Sequence, residues 1–164
     1  MAKSNPKKPG EDKDSDYIAV ARNNTVRYKY EILDTFEAGL VLQGTEVKSL
    51  RNGKASINEA FVRPRGDELL VLNMNIAPYE QGNRENHDPI RPRKLLMHKR
   101  EIRRMMGSVN EKGFTIVPLS LYFKRGYAKV QIALAKGKHL FDRRESIKKR
   151  EARRDIERAT RRRR

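Results

Sequence analysis

The stretch YEQGNRENHDPIRPRKLL, which runs from Tyr79 to Leu96, carries side chains that are suited to holding single-stranded or irregular RNA. Tyr79 offers a stacking surface, Asn86 offers an amide, and Arg91 and Arg93 offer guanidinium forks for phosphates or base edges. The alternative interpretation is a long connection between strands, in which turn-forming residues and two prolines stiffen an extended path. The residues alone leave both interpretations open.

The remaining polar residues do not form a catalytic pattern. His87, His98 and His139 have no metal-type spacing, and none lies in a Gly-rich phosphate loop or a nucleophile elbow. The absence of cysteine excludes disulfides, thiolate zinc sites and thiol nucleophiles. We therefore expect a protein that is not an enzyme and that has no catalytic residue, no metal and no cofactor.

The composition predicts a polyanionic partner. Thirty-eight Lys and Arg against 21 Asp and Glu give a formal charge of +17, and nucleic acid is the first candidate. An anionic membrane surface is the rival, but the sequence has no run of about 18 apolar residues and no basic amphipathic helix with aromatic residues. The first thirty residues contain no apolar signal core, so the sequence predicts a cytoplasmic protein without a membrane partner.

Composition divides the chain into three segments. Residues 1–16 have no large apolar residue after Met1 and balanced charges, which predicts a disordered leader. Residues 17–141 hold nearly all the large apolar side chains and are the predicted folded domain. Residues 142–164 contain 12 basic and 5 acidic residues, with only Ile147 and Ile156 as large apolar ones, so this basic tail cannot build a core.

Alternating apolar residues predict three hairpins in the folded domain. The first joins YKYEILDTF to Leu40–Leu42 through a turn at Glu37–Gly39. The second has its turn at Gly66–Asp67, and the third has its turn at Lys124–Gly126.

Side-chain alternation assigns faces to the second and third hairpins. In the third, the packed face carries Val130, Ile132 and Leu134, and the wet face carries Lys129 and Gln131. The predicted inward residues of the second hairpin are Leu70, Leu72, Met74 and Ile76.

Two short helices complete the predicted elements. TEVKSLRNG has Thr45 as a candidate N-cap and ends at Gly53. HKREIRRMMGSVNEKG ends at Gly113 and has an apolar face of Ile102, Met105, Met106 and Val109. Six antiparallel strands with helices at the ends predict a mainly β fold: a small closed antiparallel β-barrel with flanking short α-helices and a basic C-terminal tail.

Three segments resemble the SsrA-binding protein family, also called small protein B: GTEVKSLRNGKA, NMNIAPYEQGNRENHDPIRPRKLLMHKREI and IALAKGKHLFDRRESIKKRE. The similarity covers about residues 17–151. It implies a barrel of oligonucleotide-binding type that binds the tRNA-like domain of transfer-messenger RNA beside its elbow. It also implies that the protein delivers this RNA to ribosomes stalled on messages without a stop codon, in trans-translation, which rescues the ribosome and tags the nascent chain.

The partners that the resemblance implies are therefore transfer-messenger RNA and the decoding centre and mRNA channel of the ribosome. The elongation factor that delivers the aminoacylated RNA is an indirect partner. The protein is expected to act as a monomer, in the bacterial cytoplasm and without catalysis.

The resemblance implies RNA contacts at four further positions. Asn23 corresponds to the family's asparagine before the first strand, Glu37 to the glutamate of its FEAG turn, Leu96 to the middle leucine of its KLLx block, and Lys129 to the lysine of its last strand. Lys129 faces away from the predicted core and is suited to a phosphate, while Leu96 is suited either to an unstacked base or to the core. Glu37 is interpreted as an acceptor for base edges, as a residue that orients a neighbouring arginine, or as a solvated turn residue.

Ribosome-facing positions are implied at the root of the tail. Gly137 matches the family's glycine, and Asp142, Arg143 and Arg144 match its D-K-R motif, with Arg143 where lysine is usual. That replacement keeps the charge but alters the hydrogen-bond geometry. Ile156 is the expected distal contact of the tail.

The tail has conflicting helix signals. Glu145 with Lys149 and Glu157 with Arg161 stand at favourable i,i+4 spacing, but the twelve basic residues repel one another. We expect the tail to be disordered when free and helical on the ribosome, where the resemblance implies that it senses an empty mRNA channel.

Two other classes of protein remain open. A nucleic-acid chaperone or ribosomal-type protein would bind many RNAs through charge alone. An RNA-processing enzyme would need a metal or a general base.

Overall fold

The structure, a computed structural model, describes residues 16–162, except for the side chains of Leu140, Phe141 and Arg162. The predicted leader therefore lies outside the described residues apart from Asp16, and so do the last two residues of the predicted tail. No helix within residues 16–162 is long and apolar enough to cross a membrane.

The described residues form nine strands and four α-helices. The strands are β1 (Tyr17–Arg22), β2 (Tyr30–Leu40), β3 (Ala55–Ser56), β4 (Phe61–Arg65), β5 (Glu68–Leu72), β6 (Asn75–Ile76), β7 (Arg93–Leu96), β8 (Thr115–Lys124) and β9 (Tyr127–Gly137). The helices are α1 (Val26–Lys29), α2 (Gly44–Arg51), α3 (Lys99–Lys112) and α4 (Leu140–Arg162), and Asn83–Glu85 form a 3-10 turn.

Six of the strands pair antiparallel in a closed ring, in the order β8-β4-β5-β7-β2-β9, and β9 pairs again with β8. The first strand, β1, adds to the outside of the ring by pairing with β8, while β3 and β6 form a separate two-stranded sheet. Each of the six ring strands therefore has a paired neighbour on both sides, with short pairings between β2 and β7 and between β4 and β8. The predicted mainly β fold with six antiparallel strands and short helices is confirmed.

The main hydrophobic core fills the inside of the ring. Alternate residues of β9 supply it with Val130, Ile132 and Leu134, and α3 covers it with Ile102 and Met105. A second, smaller cluster lies outside the ring, where α1 packs on β8 and β9 through Val26, Val117, Ala133 and Ala135. The chain therefore buries one end of the outer face of β9 and leaves the other end open.

The third predicted hairpin is confirmed in its turn and in its faces. Arg125 and Gly126 both have positive φ, as a tight two-residue hairpin turn requires. This turn sets the register of β8 and β9, so that Tyr122 lies opposite Lys129.

The second predicted hairpin is confirmed, but part of its predicted inward face is wrong. Leu69 and Val71 are fully buried, whereas Leu70 and Leu72 are only partly buried. The predicted alternation ran unbroken through Asn73, which in fact has a φ of 55°. This left-handed residue breaks the alternation, so that Met74 and Ile76 are buried as predicted while the leucines before them are not.

The predicted turn at Glu37–Gly39 is wrong, because β2 continues through it to Leu40. Gly39 allows close packing and does not reverse the chain: a Cβ at Gly39 would make a tight contact of 3.2 Å with the Cβ of Leu96 on β7. The sixth strand of the ring is therefore β7, which lies inside the Tyr79–Leu96 stretch, and not Leu40–Leu42.

The helix predictions hold except for one cap. Gln43, and not Thr45, is the N-cap of α2, and its backbone N–H donates to Oε2 of Glu46 at 2.8 Å, as in a capping box. Helix α3 ends as predicted at Gly113, which has a φ of 63°, and it buries Ile102 and Met105.

Glu46 also holds the connection before β7. Its two carboxylate oxygens accept hydrogen bonds from Nε and Nη2 of Arg91, at 2.9 and 2.6 Å, and from Nε of Arg93, at 2.9 Å. Arg93 is completely buried, and its remaining donors reach the carbonyl oxygens of Met74, at 2.6 Å, and Pro89, at 3.0 Å. This ion cluster joins α2 to the start of β7.

Burial opposes ionisation of Glu46, but hydrogen bonds from Arg91, from the Gln43 N–H and from Arg93 outweigh it. They hold the pKa of the Glu46 carboxyl below its ordinary value. The charged form is therefore favoured in the folded protein, and its contribution to stability is complete above the pKa of the unfolded chain.

We predict that Glu46→Gln lowers the free energy of unfolding by about 3 kcal/mol at neutral pH, because it leaves the buried charge of Arg93 without its carboxylate. Glu68→Gln is the matched control: Glu68 pairs with Lys94 on the surface next to β7, and its loss should cost less than about 1 kcal/mol. Denaturant unfolding followed by circular dichroism measures both.

The difference between the wild type and Glu46→Gln should also depend on pH. It should shrink as the pH falls below the ordinary pKa of a glutamate and through the lower folded-state value, because protonated Glu46 resembles glutamine. A difference that stays constant across this acid range, or equal losses in the two variants at neutral pH, would contradict the role of the cluster.

Candidate RNA-binding surface

A row of residues crosses the outer face of the sheet, which is the side that points away from the ring interior. Gly39 on β2 is the register partner of both Leu96 on β7 and Lys129 on β9, and Lys129 is the partner of Tyr122 on β8. We call this set, Leu96, Gly39, Lys129 and Tyr122, the outer row. It brings together two of the four positions that the resemblance implied, Leu96 and Lys129.

Glu37, a third such position, lies two residues before Gly39 on the same face of β2. Its Oε2 accepts a hydrogen bond of 2.5 Å from the hydroxyl of Tyr122. Nζ of Lys129 lies 3.8 Å from Oε1, and Nζ of Lys124 lies 3.8 Å from Oε2. Glu37 is therefore a partly exposed carboxylate with a fixed orientation between two cations, and not a mobile turn residue.

Tyr122 was missed by the sequence reasoning, although it decides where the carboxylate of Glu37 lies. Burial raises the pKa of Tyr122 well above its ordinary value, and the hydrogen bond to Glu37 raises it further. The hydroxyl thus remains a donor to Glu37 at neutral pH. The two-residue turn of the third hairpin carried the signal for its position, because that turn places Tyr122 opposite Lys129.

Leu96 is 53% exposed, whereas its neighbour Leu95 is buried in the core. A leucine that is held against Gly39 at the surface presents an apolar patch beside Lys129, which can pack on an unstacked base. The alternative that Leu96 belongs to the core does not fit its exposure.

Asn23, the fourth implied position, is buried and holds three segments together. Its Nδ2 donates to the carbonyl of Ile57 at 3.1 Å, and its Oδ1 accepts hydrogen bonds from the backbone N–H and the hydroxyl of Thr25 at 3.1 and 2.8 Å. These bonds fix the end of β1 against the start of α1. The structure thus gives Asn23 a positioning role, and a direct contact with RNA stays a prediction.

Most of the polar side chains named in the Tyr79–Leu96 stretch bind other parts of the domain and stabilise the fold. Arg93 is fully buried, so the expectation that it contacts RNA is corrected: its guanidinium is used by Glu46 and by backbone carbonyls. Arg91 keeps some exposure but is bound by Glu46. Asn86 bonds to both the N–H and the carbonyl of Tyr79 at 2.9 Å, and the half-buried ring of Tyr79 lies under Nζ of Lys48 at 5.5 Å.

The implied ribosome-facing positions lie at and beyond the end of β9. Gly137 is the last residue of β9, and Asp142, Arg143 and Arg144 are exposed in the first turns of α4. Ile156 is 66% exposed on the same helix. These positions lie apart from the outer row in the chain, and their contacts stay predictions.

The root of α4 is attached to α1. Nζ of Lys138 donates to the carbonyl of Arg27 at 2.8 Å and to Oγ of Ser146 at 3.1 Å, and Arg150 lies over the ring of Tyr28 at 5.8 Å. Beyond this root the helix is exposed throughout residues 151–161. In the structure, most of the tail lies in helix α4. The conformation of the tail free in solution stays a prediction.

Within residues 16–162, no group of three or more His, Asp or Glu stands where it could hold a metal ion. What the outer face offers is a set of binding groups: cations for phosphates, an oriented carboxylate for base edges and apolar or aromatic surface for bases.

Comparisons with known proteins identify the family of the chain. Residues 20–162 match the family described as SmpB protein. The SsrA-binding protein of Pelotomaculum thermopropionicum is 59% identical over 140 residues, which are 85% of this chain and 92% of that protein. The SsrA-binding protein of Desulforudis audaxviator is 59% identical over 142 residues, which are 87% of this chain and 93% of that protein.

A solved structure described as "tmRNA-SmpB: a journey to the center of the bacterial ribosome" contains a similar chain. The two chains are 51% identical with a TM-score of 0.62, and the match covers 77% of this chain and 92% of that chain. With the family match spanning residues 20–162 and relatives this similar, the chain belongs to the SmpB family.

Proposed function

We propose that this protein binds the tRNA-like domain of transfer-messenger RNA through its outer face and delivers that RNA to stalled bacterial ribosomes for trans-translation. Its relatives are named for binding SsrA, and the similar solved chain belongs to a complex of tmRNA and SmpB in the bacterial ribosome. The protein acts in the cytoplasm, as a monomer and without catalysis.

The observation that carries the proposal is the outer row with Glu37 beside it. Contacts with phosphates position a protein on RNA but do not distinguish one RNA from another. Hydrogen-bond acceptors and stacking surfaces in fixed positions do distinguish RNAs of different shape. A surface that binds RNA through positive charge alone is not expected to have a carboxylate between Lys124 and Lys129, because the carboxylate weakens the attraction of both lysines for phosphate. Glu37 therefore favours a selective RNA-binding protein over a general nucleic-acid chaperone.

The tail has a separate role in this proposal. Helix α4 begins at Leu140, and its described side chains contact the folded domain near its root, where Lys138 and Arg150 join it to α1. A basic, exposed helix of this kind suits a channel lined by RNA phosphates. We propose that Gly137, Asp142, Arg143 and Arg144 face the decoding centre and that Ile156 makes the distal contact in an mRNA channel left empty by a truncated message.

The direct test of the proposed function is competition binding of the full chain to labelled tRNA-like domain. We expect binding to survive an excess of bulk tRNA at physiological salt, and affinity to fall roughly a hundredfold between 50 and 200 mM salt, as for about five neutralised phosphates. Equal competition by bulk tRNA would favour the chaperone alternative, and loss of the labelled RNA in the presence of magnesium would favour a processing enzyme.

Lys129 and Glu37 should differ in their effect on salt dependence. Lys129→Ala should weaken binding and reduce the salt slope by about one unit, because it removes a phosphate contact. Glu37→Ala should weaken binding by about tenfold without reducing the salt slope, because it removes hydrogen bonds and no cation.

The matched control is Lys136→Ala, which removes an exposed lysine at the far end of β9. Titrations at four salt concentrations measure all three variants. Parallel slope changes for Lys129→Ala and Glu37→Ala would show that the two roles are assigned wrongly.

Deletion of residues 142–164 should leave the affinity for the tRNA-like domain nearly unchanged and abolish peptidyl transfer to alanine-charged tmRNA on stalled ribosomes. The outer row lies entirely in the folded domain, so the deletion removes none of it. Ile156→Asp should give a milder defect, and Ala152→Asp is its control, because it adds the same charge to an exposed position without removing a large apolar side chain. A binding titration and a single-turnover peptidyl-transfer assay on the same variants measure the two effects. Retained transfer after the deletion, or a parallel loss of RNA binding, would contradict the assignment of RNA binding to the folded domain and of the ribosomal step to the tail.

A further inference from the structure

A cleft with a volume of 310 Å³ lies on the outer face, where β8 and β9 meet the end of β1 and the start of α1. Its lining includes Tyr17, Arg22, Asn24, Arg27 and Gln131. The volume is at the lower end of the range of about 300 to 1,000 Å³ that small-ligand sites occupy. The cleft therefore has room for one small planar group and little more.

The positive charge at the margin of the cleft favours an anionic ligand. Arg22, Asn24 and Arg27 are exposed at its margin, and none of the side chains that line it within the described part of the chain is acidic. Neither Arg22 nor Arg27 forms an ion pair with a carboxylate of residues 16–162. Two uncompensated guanidinium groups at one opening are a phosphate-binding arrangement.

The cleft also has an aromatic wall. The ring of Tyr17 lies against the ring of Tyr122, with centroids 4.7 Å apart and an interplanar angle of 34°, and Tyr17 is still 47% exposed. Its contact with a nearly buried tyrosine holds the ring in place, so a base that stacks on it does not have to order it first.

Gln131 supplies a polar group at the base of the cleft. Oγ of Ser120 donates to Oε1 of Gln131 at 3.3 Å, and the side-chain NH₂ of Gln131 has no partner among the described residues. Gln131 is the register partner of Glu37 and lies two residues after Lys129 on β9, so the cleft is next to the outer row. An amide next to an aromatic ring can bond to the edge of a base that the ring holds.

We propose that this cleft holds one unstacked nucleotide of the bound RNA, with its base between Tyr17 and Gln131 and its phosphate between Arg22 and Arg27. The inference rests on the proposed function and adds a site to it. None of these four residues is among the positions that the family resemblance implied, although Asn23, which is one of those positions, also lines the cleft.

The test uses the full chain and a transcript of the tRNA-like domain. Tyr17→Leu removes the ring, and Tyr17→Phe keeps it as the matched control. Each complex is titrated and is then probed by 2′-hydroxyl acylation at every nucleotide under saturating protein. Gln131→Leu is a second variant that leaves Tyr17, Tyr122 and Glu37 in place.

We expect Tyr17→Leu to weaken binding by about tenfold, the loss typical of one stacked base, and Tyr17→Phe to bind like the wild type. In the Tyr17→Leu complex, one nucleotide that is protected by the wild type should become reactive while the rest of the footprint persists. Gln131→Leu should expose the same nucleotide with a smaller loss of affinity. Arg27→Ala should reduce the salt slope by about one unit, and Arg65→Ala, at an exposed arginine of β4, should not.

The outcomes separate the two proposals. If the wild type fails to bind the tRNA-like domain selectively, the proposed function fails and the cleft proposal falls with it. If the wild type binds but Tyr17→Leu binds equally well, or binds more weakly with an unchanged footprint, only the cleft proposal is overturned.

Discussion

The buried contact of Glu46 with Arg91 and Arg93 is the interaction on which the geometry of the binding surface depends. One carboxylate meets two guanidinium groups in a nearly dry site, and such a cluster is costly to form unless every donor is satisfied. Backbone carbonyls of the connection before β7 accept the remaining hydrogen bonds of Arg93. Few other conformations of the connection could satisfy these groups together, so the cluster fixes where β7 begins. Leu96, three residues after Arg93, is thereby placed beside Gly39 and in line with Lys129.

The outer face combines affinity and selectivity in separate groups. Lysines and arginines supply attraction for phosphates, which any RNA satisfies. Glu37 opposes part of that attraction, and the short hydrogen bond from Tyr122 holds its carboxylate in one orientation. The oriented carboxylate of Glu37 favours binding only if the RNA donates a hydrogen bond to it. An RNA without a donor at that point would remove water from the carboxylate without replacing the lost hydrogen bonds, and it would therefore bind more weakly. The same tyrosine supports the ring of Tyr17, which links the acceptor to the proposed nucleotide cleft.

The sequence was most informative where local rules decide the structure. The third hairpin and α3 were predicted correctly because a two-residue turn at Arg125–Gly126 and a glycine cap at Gly113 specify them within a few residues. The prediction of a turn at Glu37–Gly39 was wrong because the role of Gly39 depends on Leu96, which is distant in the chain. The interpretation of Arg93 failed for the same reason: its partner Glu46 is 47 residues away, and a buried arginine cannot be told from a surface one by its neighbours in sequence. The family resemblance implied RNA contacts at Glu37 and Lys129, but neither the resemblance nor periodicity indicated that Tyr122 orients the carboxylate of Glu37.

The central claim is that the outer face, and not charge spread over the whole domain, binds the tRNA-like domain. The chain has no cysteine, so a single one can be introduced to carry a tethered hydroxyl-radical source. Tyr127→Cys places the source at the exposed start of β9, two residues from Lys129. Glu111→Cys places it at the exposed end of α3, next to the start of β8, whereas Tyr122 of the outer row lies near the other end of that strand. The account predicts localised cleavage of the bound RNA from position 127 and little cleavage from position 111. Equal cleavage from the two positions, or stronger cleavage from position 111, would contradict it.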